Sequence, residues 1–222
     1  MSTTIPLFPL GSVLYPGLVL PLHIFEDRYK ELVADLLGGP EPRQFGVVAI
    51  RQGRETGIDG VSALYDMGCT AELRQVERYD DGRYDLITVG MERFKLRGLA
   101  EADPYYRGDV EIVPDETGDE DEASLAVPVV QGAFRTYLEV LTERGGARIT
   151  IPELPDEPVL LSYLVAAAVV VDLPAKQRLL EEPDAHRRLR AERTLLGHET
   201  QMLRSLTATP APDLRYSPYS QN

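Results

Sequence analysis

The chain has 222 residues, of which 43% are apolar, and its formal net charge at pH 7 is −13. The apolar fraction is sufficient for a packed core and excludes a wholly disordered chain. Nucleic-acid binding depends on Lys and Arg side chains that neutralise phosphates, so the acidic composition disfavours nucleic acid as a partner.

The first part of the chain is predicted to form strands and one helix. Residues 4–22 read as one or two short extended segments, because their prolines confine them to strand ends or edges. Residues 25–37 place apolar side chains at helical spacing, and a Gly-Gly pair ends the pattern. Residues 44–50 form a short apolar run that is typical of a buried strand.

A hairpin and two further strands are predicted next. Residues 67–79 and 83–89 flank an Asp-Asp-Gly turn, which favours a β-hairpin. Residues 93–97 alternate basic and apolar side chains, which indicates a strand with one solvated face. Residues 107–113 are predicted to be the last strand, so that about six strands and one helix precede residue 114.

The second part of the chain has a helical pattern. Residues 129–141 carry an apolar stripe, and residues 159–171 are apolar nearly all round, which predicts a central, buried helix. A short helix is predicted to begin at Pro174, and a final helix is predicted to follow the next Pro-Asp pair.

These patterns predict an α+β chain with a defined order of parts. A β subdomain spans residues 1–114, and an acidic run at 115–122 is expected to be a solvated linker. A helical subdomain follows at 123–206. The remaining residues, 207–222, lack periodicity and are predicted to form a disordered tail.

The sequence also favours a cytoplasmic location. No basic start is followed by an apolar run, as a secretory signal would require. The longest apolar stretch is shorter than the roughly 20 residues that span a membrane, so no membrane partner is expected. The single cysteine, Cys69, excludes an internal disulfide and is predicted to be a buried, unreactive thiol in a strand.

Several segments, in chain order, resemble the N-terminal, substrate-binding domain of Lon proteases. The opening segment, residues 5–29, reads IPLFPLGSVLYPGLVLPLHIFEDRY. The later segments are FGVVAI at 45–50, GCTAEL at 68–73, DGRYDLI at 81–87 with GMERF at 90–94, and LPAKQRLLE at 173–181. The resemblance covers roughly residues 4–206. It implies a PUA-like mixed β-barrel or sheet subdomain with one helix, followed by an all-α subdomain.

The residues that would drive ATP hydrolysis and proteolysis in a Lon protease are not found. A phosphate loop needs a Gly-Lys pair, and the chain contains none. The glycines at positions 53, 57 and 60 have a different spacing and are predicted to form a plain loop. The three histidines, His23, His186 and His198, lack metal-ligand spacing, and the last two are expected on the exposed side of the final helix. We therefore expect no catalytic residue, no metal and no cofactor.

Tyr15, His23 and Arg28 are the candidate residues for a peptide- or ligand-binding groove. For His23, a purely structural role is the alternative interpretation. Glu26 and Arg28 are predicted to form an ion pair that ties the first helix to the sheet, or else to stand at the rim of the groove.

A basic cluster is formed by Arg187, Arg188, Arg190 and Arg193. Nearby glutamates offset it, so a solvated helix face is favoured, with an anion or partner site as the alternative.

The resemblance implies a non-catalytic polypeptide-recognition module. Its expected partners are unfolded or tagged polypeptides, and a separate AAA+ protease is a further candidate partner in protein quality control. A PUA-like sensor that binds a small ligand is the alternative hypothesis, and an independent enzyme is disfavoured because no nucleophile or metal cluster is recognisable. The oligomeric state is left open.

Overall fold

A computed structural model describes residues 3–53, 61–100, 104–145 and 153–207. The strands are β1 (Thr3–Leu10), β2 (Val19–Ile24), β3 (Gln44–Gly53), β4 (Val61–Arg78), β5 (Tyr84–Ala100) and β6 (Arg107–Val113). The helices are α1 (Asp27–Gly38), α2 (Glu120–Gly145), α3 (Pro158–Ala168), α4 (Leu173–Glu181) and α5 (Ala185–Thr207). The predicted α+β class is confirmed. A loop was predicted at residues 51–62, but positions 51–53 belong to β3 and positions 61–62 to β4. The middle of that loop, residues 54–60, and the tail beyond residue 207 lie outside the described residues.

The six strands form one mixed sheet in the order β2-β5-β4-β3-β1-β6. Strands β1 and β3 are parallel, and the other pairs are antiparallel. Strand β6 pairs with β1 and also with the second half of β5, so the sheet curls and brings β1 and β5 to either side of β6. Among the described strands, β2 pairs with β5 alone and leaves an edge, so the six strands do not form one closed barrel.

Two details of the predicted β region are wrong. The segment at 93–97 is not a separate strand, because β5 continues through it from the hairpin. Phe25 does not belong to the helix, which begins at Asp27; its side chain is 52% exposed. The hairpin itself, the β3 strand and the remainder of α1 are confirmed.

Helices α2, α3, α4 and α5 pack on one another, and α4 contacts β4 of the sheet. Helix α1 packs separately, through Tyr29, Leu32 and Val33, against residues of the strands. Helix α3 is buried through Leu161, Tyr163 and Val165, as its all-round apolar pattern predicts. Glu157 accepts hydrogen bonds from the first amides of α3, and Asp172 caps α4 in the same way. Leu189 and Leu196 of α5 join this helical core.

The buried guanidinium of Arg93 joins the sheet to the helices. Its Nε donates to Asp115 at 2.7 Å, although position 93 was predicted to lie on a solvated face. Its terminal nitrogens donate to the carbonyl oxygens of Pro114, Leu180, Glu182 and Pro183. Asp115, at the start of the predicted linker, also accepts a hydrogen bond from Tyr163. This cluster, which we call the Arg93 clamp, attaches β5 to the segment after β6 and to the end of α4.

A second buried guanidinium, Arg188, corrects the prediction of a wholly solvated arginine cluster. Arg188 is 1% exposed, lies 4.0 Å above the ring of Tyr163, and donates to the hydroxyl of Ser162. One turn further along α5, Glu192 is fully buried, and neither carboxyl oxygen accepts a hydrogen bond of normal geometry from the described residues. Burial raises the pKa of Glu192 well above its usual range, and the charge of Arg188 opposes this only in part.

The raised pKa of Glu192 predicts a pH-dependent cost in stability. The Glu192 carboxyl is harder to ionise in the folded state than in the unfolded state. Its contribution to the free energy of unfolding is therefore most favourable below the unfolded pKa of about 4.3, and it is lost as the pH rises through the folded pKa. We expect Glu192→Gln to raise the free energy of unfolding by about 1–3 kcal/mol at pH 7 and to have little effect near pH 4. Urea titrations across this range, with exposed Glu139→Gln as the control, measure the difference. Destabilisation by Glu192→Gln at pH 7 would contradict the prediction.

Candidate functional site

A shallow apolar groove lies between β1, β2 and the start of α1. Its volume is about 190 Å³. The lining residues are Phe8, Pro9, Leu10, Pro21, Leu22, His23, Ile24, Phe25, Glu26 and Tyr29. All of them come from the opening segment that carries the resemblance. We call this surface the β2 groove.

The floor of the β2 groove is fixed by aromatic packing, whereas its outer wall is exposed. The rings of Phe8 and Tyr29 lie 4.3 Å apart between centroids, and Phe8 also contacts Phe45 at 6.1 Å. In the outer wall, Phe25 stacks on His23 with a centroid distance of 6.2 Å and stays half exposed. An aromatic ring held beside an apolar hollow is a feature of binding surfaces for apolar side chains.

The strand edge beside the groove is unpaired within the described part of the chain. Strand β2 pairs with β5 on one side only. Such an edge presents amide and carbonyl groups to an added strand, and Pro21 limits the pairing by removing one donor. The groove and the edge together offer an extended peptide both an apolar contact and backbone hydrogen bonds.

The polar side of the rim is a small hydrogen-bonded network. Asp85 contacts Nδ1 of His23 at 2.5 Å and accepts a hydrogen bond from the Tyr79 hydroxyl at 2.6 Å. Both contacts lower the pKa of Asp85, and the hydrogen bond from Tyr79 has the larger effect. The Asp85 carboxylate therefore stays ionised. The rim therefore places an ionised carboxylate next to an apolar hollow, with the guanidinium of Arg83 on the other side of the His23 ring at 3.5 Å.

The structure separates the three residues proposed from sequence. His23 lines the groove. Arg28 pairs with Glu26 at 2.9 Å and lies over the ring of Tyr29 at 4.6 Å, behind the groove wall rather than in its lining. Tyr15 is only 1% exposed and belongs to the helical core, where its hydroxyl donates to the carbonyl of Lys176 at 2.8 Å.

Phe8, Leu10 and Phe25 are among the groove residues that sequence reasoning missed. Phe8 and Leu10 lie in β1 among apolar neighbours, so nothing in the pattern separates a groove residue from a core residue. The signal for Phe25 was its place one residue ahead of an acidic N-terminal turn, where a side chain no longer belongs to the apolar helix face.

Other kinds of site receive no support from the described residues. No group of three or more His, Cys, Asp and Glu side chains among them is placed to hold a metal ion. Cys69 is fully buried, and burial raises the pKa of its thiol, which makes the reactive thiolate harder to form. Across the same described ranges, no helix has the length and apolar character needed to cross a membrane.

Comparison with known proteins identifies relatives over nearly the whole chain. The model of the ATP-dependent protease La (LON) substrate-binding domain matches residues 4–198. Lon protease 2 of Myxococcus xanthus is 29% identical over 202 residues, which cover 90% of this chain and 24% of the relative. Lon protease of Escherichia coli K12 is 26% identical over 200 residues, which cover 90% of this chain and 25% of the relative. The chain thus spans about a quarter of the length of these curated relatives.

Solved structures agree with this assignment. A Lon N-terminal domain protein from Xanthomonas campestris has a TM-score of 0.59 and 27% identity, with 88% of this chain and 98% of that chain covered. The N-terminal domain of Mycobacterium avium complex Lon protease has the same fold, with a TM-score of 0.60 at 18% identity, over 90% of this chain and 98% of that chain. The chain belongs to the family of Lon substrate-binding domains.

Proposed function

We propose that this protein is a non-catalytic recognition module that binds unfolded or tagged polypeptides through the β2 groove. One observation carries the proposal: an exposed apolar hollow lies directly beside the edge of β2, which no other described strand pairs with. Unfolded chains expose both apolar side chains and free backbone groups, whereas folded proteins bury most of them. Such a surface therefore selects unfolded segments without reading a particular sequence.

The size of the groove supports a peptide side chain as the occupant rather than a whole small ligand. Pockets for small molecules usually have volumes of about 300–1,000 Å³, and they enclose most of the ligand. The β2 groove, at about 190 Å³ and open along one side, is smaller. A small-ligand sensor that uses this groove, the second candidate function, is for this reason less well supported.

The relatives of this chain also suggest a partner protein. The curated relatives are named as Lon proteases, and the region they share with this chain is about a quarter of their length. We infer a role as an adaptor in cytoplasmic protein quality control, in which bound polypeptides are passed to a separate AAA+ protease. In this role the AAA+ protease would supply the ATP-driven unfolding.

A pair of matched substitutions tests the groove. Phe25 and Leu99 are both apolar, and their exposed fractions are 52% and 54%, but only Phe25 lines the groove. We expect Phe25→Asp to weaken binding of a reduced, carboxymethylated model protein at least about tenfold, because a charge replaces apolar contact. Leu99→Asp is expected to bind like the parent. Isothermal titration calorimetry measures the affinity of each variant for the model protein.

The same titration with the folded, disulfide-intact form of the model protein completes the test. The proposal requires that the folded form bind more weakly than the carboxymethylated form. Equal binding of both forms, or equal losses in Phe25→Asp and Leu99→Asp, would refute a role for the β2 groove.

A further inference from the structure

A second apolar surface runs along the contact between α2 and α5, far from the β2 groove in sequence. The two helices run parallel, and two hollows lie between them. The first hollow has a volume of about 350 Å³ and is lined by Glu122, Leu125, Ala126, Val129, Val130, His186, Leu189, Arg190 and Arg193. The second has a volume of about 340 Å³ and is lined by Ala133, Thr136, Leu196, Gly197, Thr200, Gln201 and Arg204. We call this surface the α2–α5 seam.

The spacing of the hollows matches the repeat of an α-helix. Ala126 of the first hollow and Ala133 of the second are seven residues apart on α2. Leu189 and Leu196 are seven residues apart on α5. At 1.5 Å per residue the hollows are therefore separated by about 10.5 Å, which is two turns of a helix. A third helix lying along the seam would place side chains at positions i and i+7 in the two hollows.

The apolar side chains at the first hollow lack cover from the described part of the chain. Leu125 is 72% exposed and Val129 is 44% exposed, although both lie on a helix that packs closely against α5 on its other face. Single exposed apolar side chains occur on many proteins. Two of them one helix turn apart beside a hollow, as Leu125 and Val129 are, indicate a contact surface.

Two arginines give the first hollow a positive rim. Arg190 and Arg193 are exposed, and no ion pair to either occurs within the described ranges. The other arginines of the cluster are engaged elsewhere, since Arg188 is buried and Arg187 lies 3.5 Å from Asp184. Glu122 lines the same hollow, but its carboxylate lies 3.0 Å from His186 and forms no ion pair with either arginine among the described residues. In a chain with a net charge of −13, the two arginines make this rim a local exception that favours an acidic partner.

We propose that the α2–α5 seam docks an amphipathic helix of a partner protein, with apolar anchors seven residues apart and acidic side chains toward Arg190 and Arg193. The hollows fix the anchor spacing, and the unpaired guanidinium groups fix the sign of the flanking charge. This surface is separate from the β2 groove and does not depend on the function proposed for that groove.

Designed peptides of about 18 residues, five helical turns, test the proposal. The acidic probe carries leucines at i and i+7 with flanking glutamates, and the basic probe has lysines in place of the glutamates. We expect the full chain to bind the acidic probe at least tenfold more tightly, with weaker binding at high salt, as measured by fluorescence anisotropy. The charge-reversed variant Arg190→Glu/Arg193→Glu should prefer the basic probe.

Three variants separate this surface from the β2 groove and from unfolding. Val129→Asp should lose both probes, and Phe25→Asp should bind the acidic probe like the parent. Should Val129→Asp unfold, as judged by circular dichroism, the charge-reversed variant decides the test because both of its positions are exposed. Equal binding of the two probes, no change of preference on charge reversal, or loss of binding in Phe25→Asp would overturn the proposal.

Discussion

Replacing Arg93 by alanine is expected to lower the free energy of unfolding by about 3–5 kcal/mol, the largest loss that we predict for any single side chain of this protein. The side chain is fully buried, and its three nitrogens donate to one carboxylate and four carbonyl oxygens. Truncation leaves Asp115 as a charge without its cation and leaves the carbonyl groups without donors. Buried polar groups that lose their partners carry the full cost of desolvation.

Arg97 provides a control on the same strand. It also pairs with a carboxylate, that of Glu111, but both side chains are about half exposed. Exposed pairs contribute about 0–1 kcal/mol, so Arg97→Ala should change the free energy of unfolding by no more than that. Chemical denaturation followed by circular dichroism compares the two variants. A loss in Arg93→Ala no larger than that in Arg97→Ala would show that the clamp contributes little.

A second variant, Arg93→Lys, tests whether geometry or charge accounts for the effect. Lysine keeps the positive charge but places its three donors on one nitrogen, so it cannot reach all of the carboxylate and carbonyl oxygens arranged around the edge of the guanidinium group. We expect Arg93→Lys to lose most of the stability that Arg93→Ala loses. Near-complete recovery would assign the effect to charge alone.

The contrast between Arg93 and Arg97 explains where the sequence stopped being informative. Residues 93–97 alternate basic and apolar side chains, and that period correctly predicts a strand. The pattern does not distinguish the two arginines, because burial of Arg93 depends on Asp115 and on carbonyl groups some 90 positions later. The local alternation of side chains predicts that the backbone is a strand. Which of the charged side chains is buried is decided by packing against residues far away in the sequence.

The same limit applies within the helical part. The apolar stripes of α2 and α5 and the all-round apolar character of α3 were visible in the sequence. Arg188 and Glu192 lie on α5 among charged residues, so the pattern assigned them to a solvated face. The burial of Arg188 follows from its contacts with Ser162 and Tyr163 on α3, which the sequence pattern of α5 does not show.

For the candidate groove, the sequence located the segment but not the side chains. The proline-interrupted opening segment was predicted to shape a groove, and it supplies the whole lining of the β2 groove. Among the three candidate residues, however, Tyr15 packs against residues some 160 positions away. Its side chain direction is set by the loop that joins β1 to β2, and this loop docks on β5 at Gly90.

Gly90→Ala is expected to destabilise the protein by about 3 kcal/mol or more, at the upper end of the cost of overpacking. A Cβ atom at position 90 would lie 2.2 Å from the backbone oxygen of Tyr15. The loop cannot simply move aside, since the amide of Gly17 donates to the carbonyl of Gly90 and the amide of Gly90 donates to the carbonyl of Leu18, both at 2.8 Å. Displacing the loop would break these bonds and withdraw Tyr15 from the helical core.

Gly132→Ala is the matched control, because it makes the same chemical change where the added methyl group meets nothing. Gly132 lies inside α2, and apart from its chain neighbours and the adjacent backbone of that helix, no described atom lies within 4 Å of a Cβ built there. Alanine there should stabilise the protein by about 0.5–1 kcal/mol, because glycine lowers helix stability. Thermal and urea unfolding of the two variants should therefore shift in opposite directions. A shift of Gly90→Ala in the same direction as Gly132→Ala would show that the loop docks loosely on β5, and Tyr15 would then be free to leave the core and reach a surface groove.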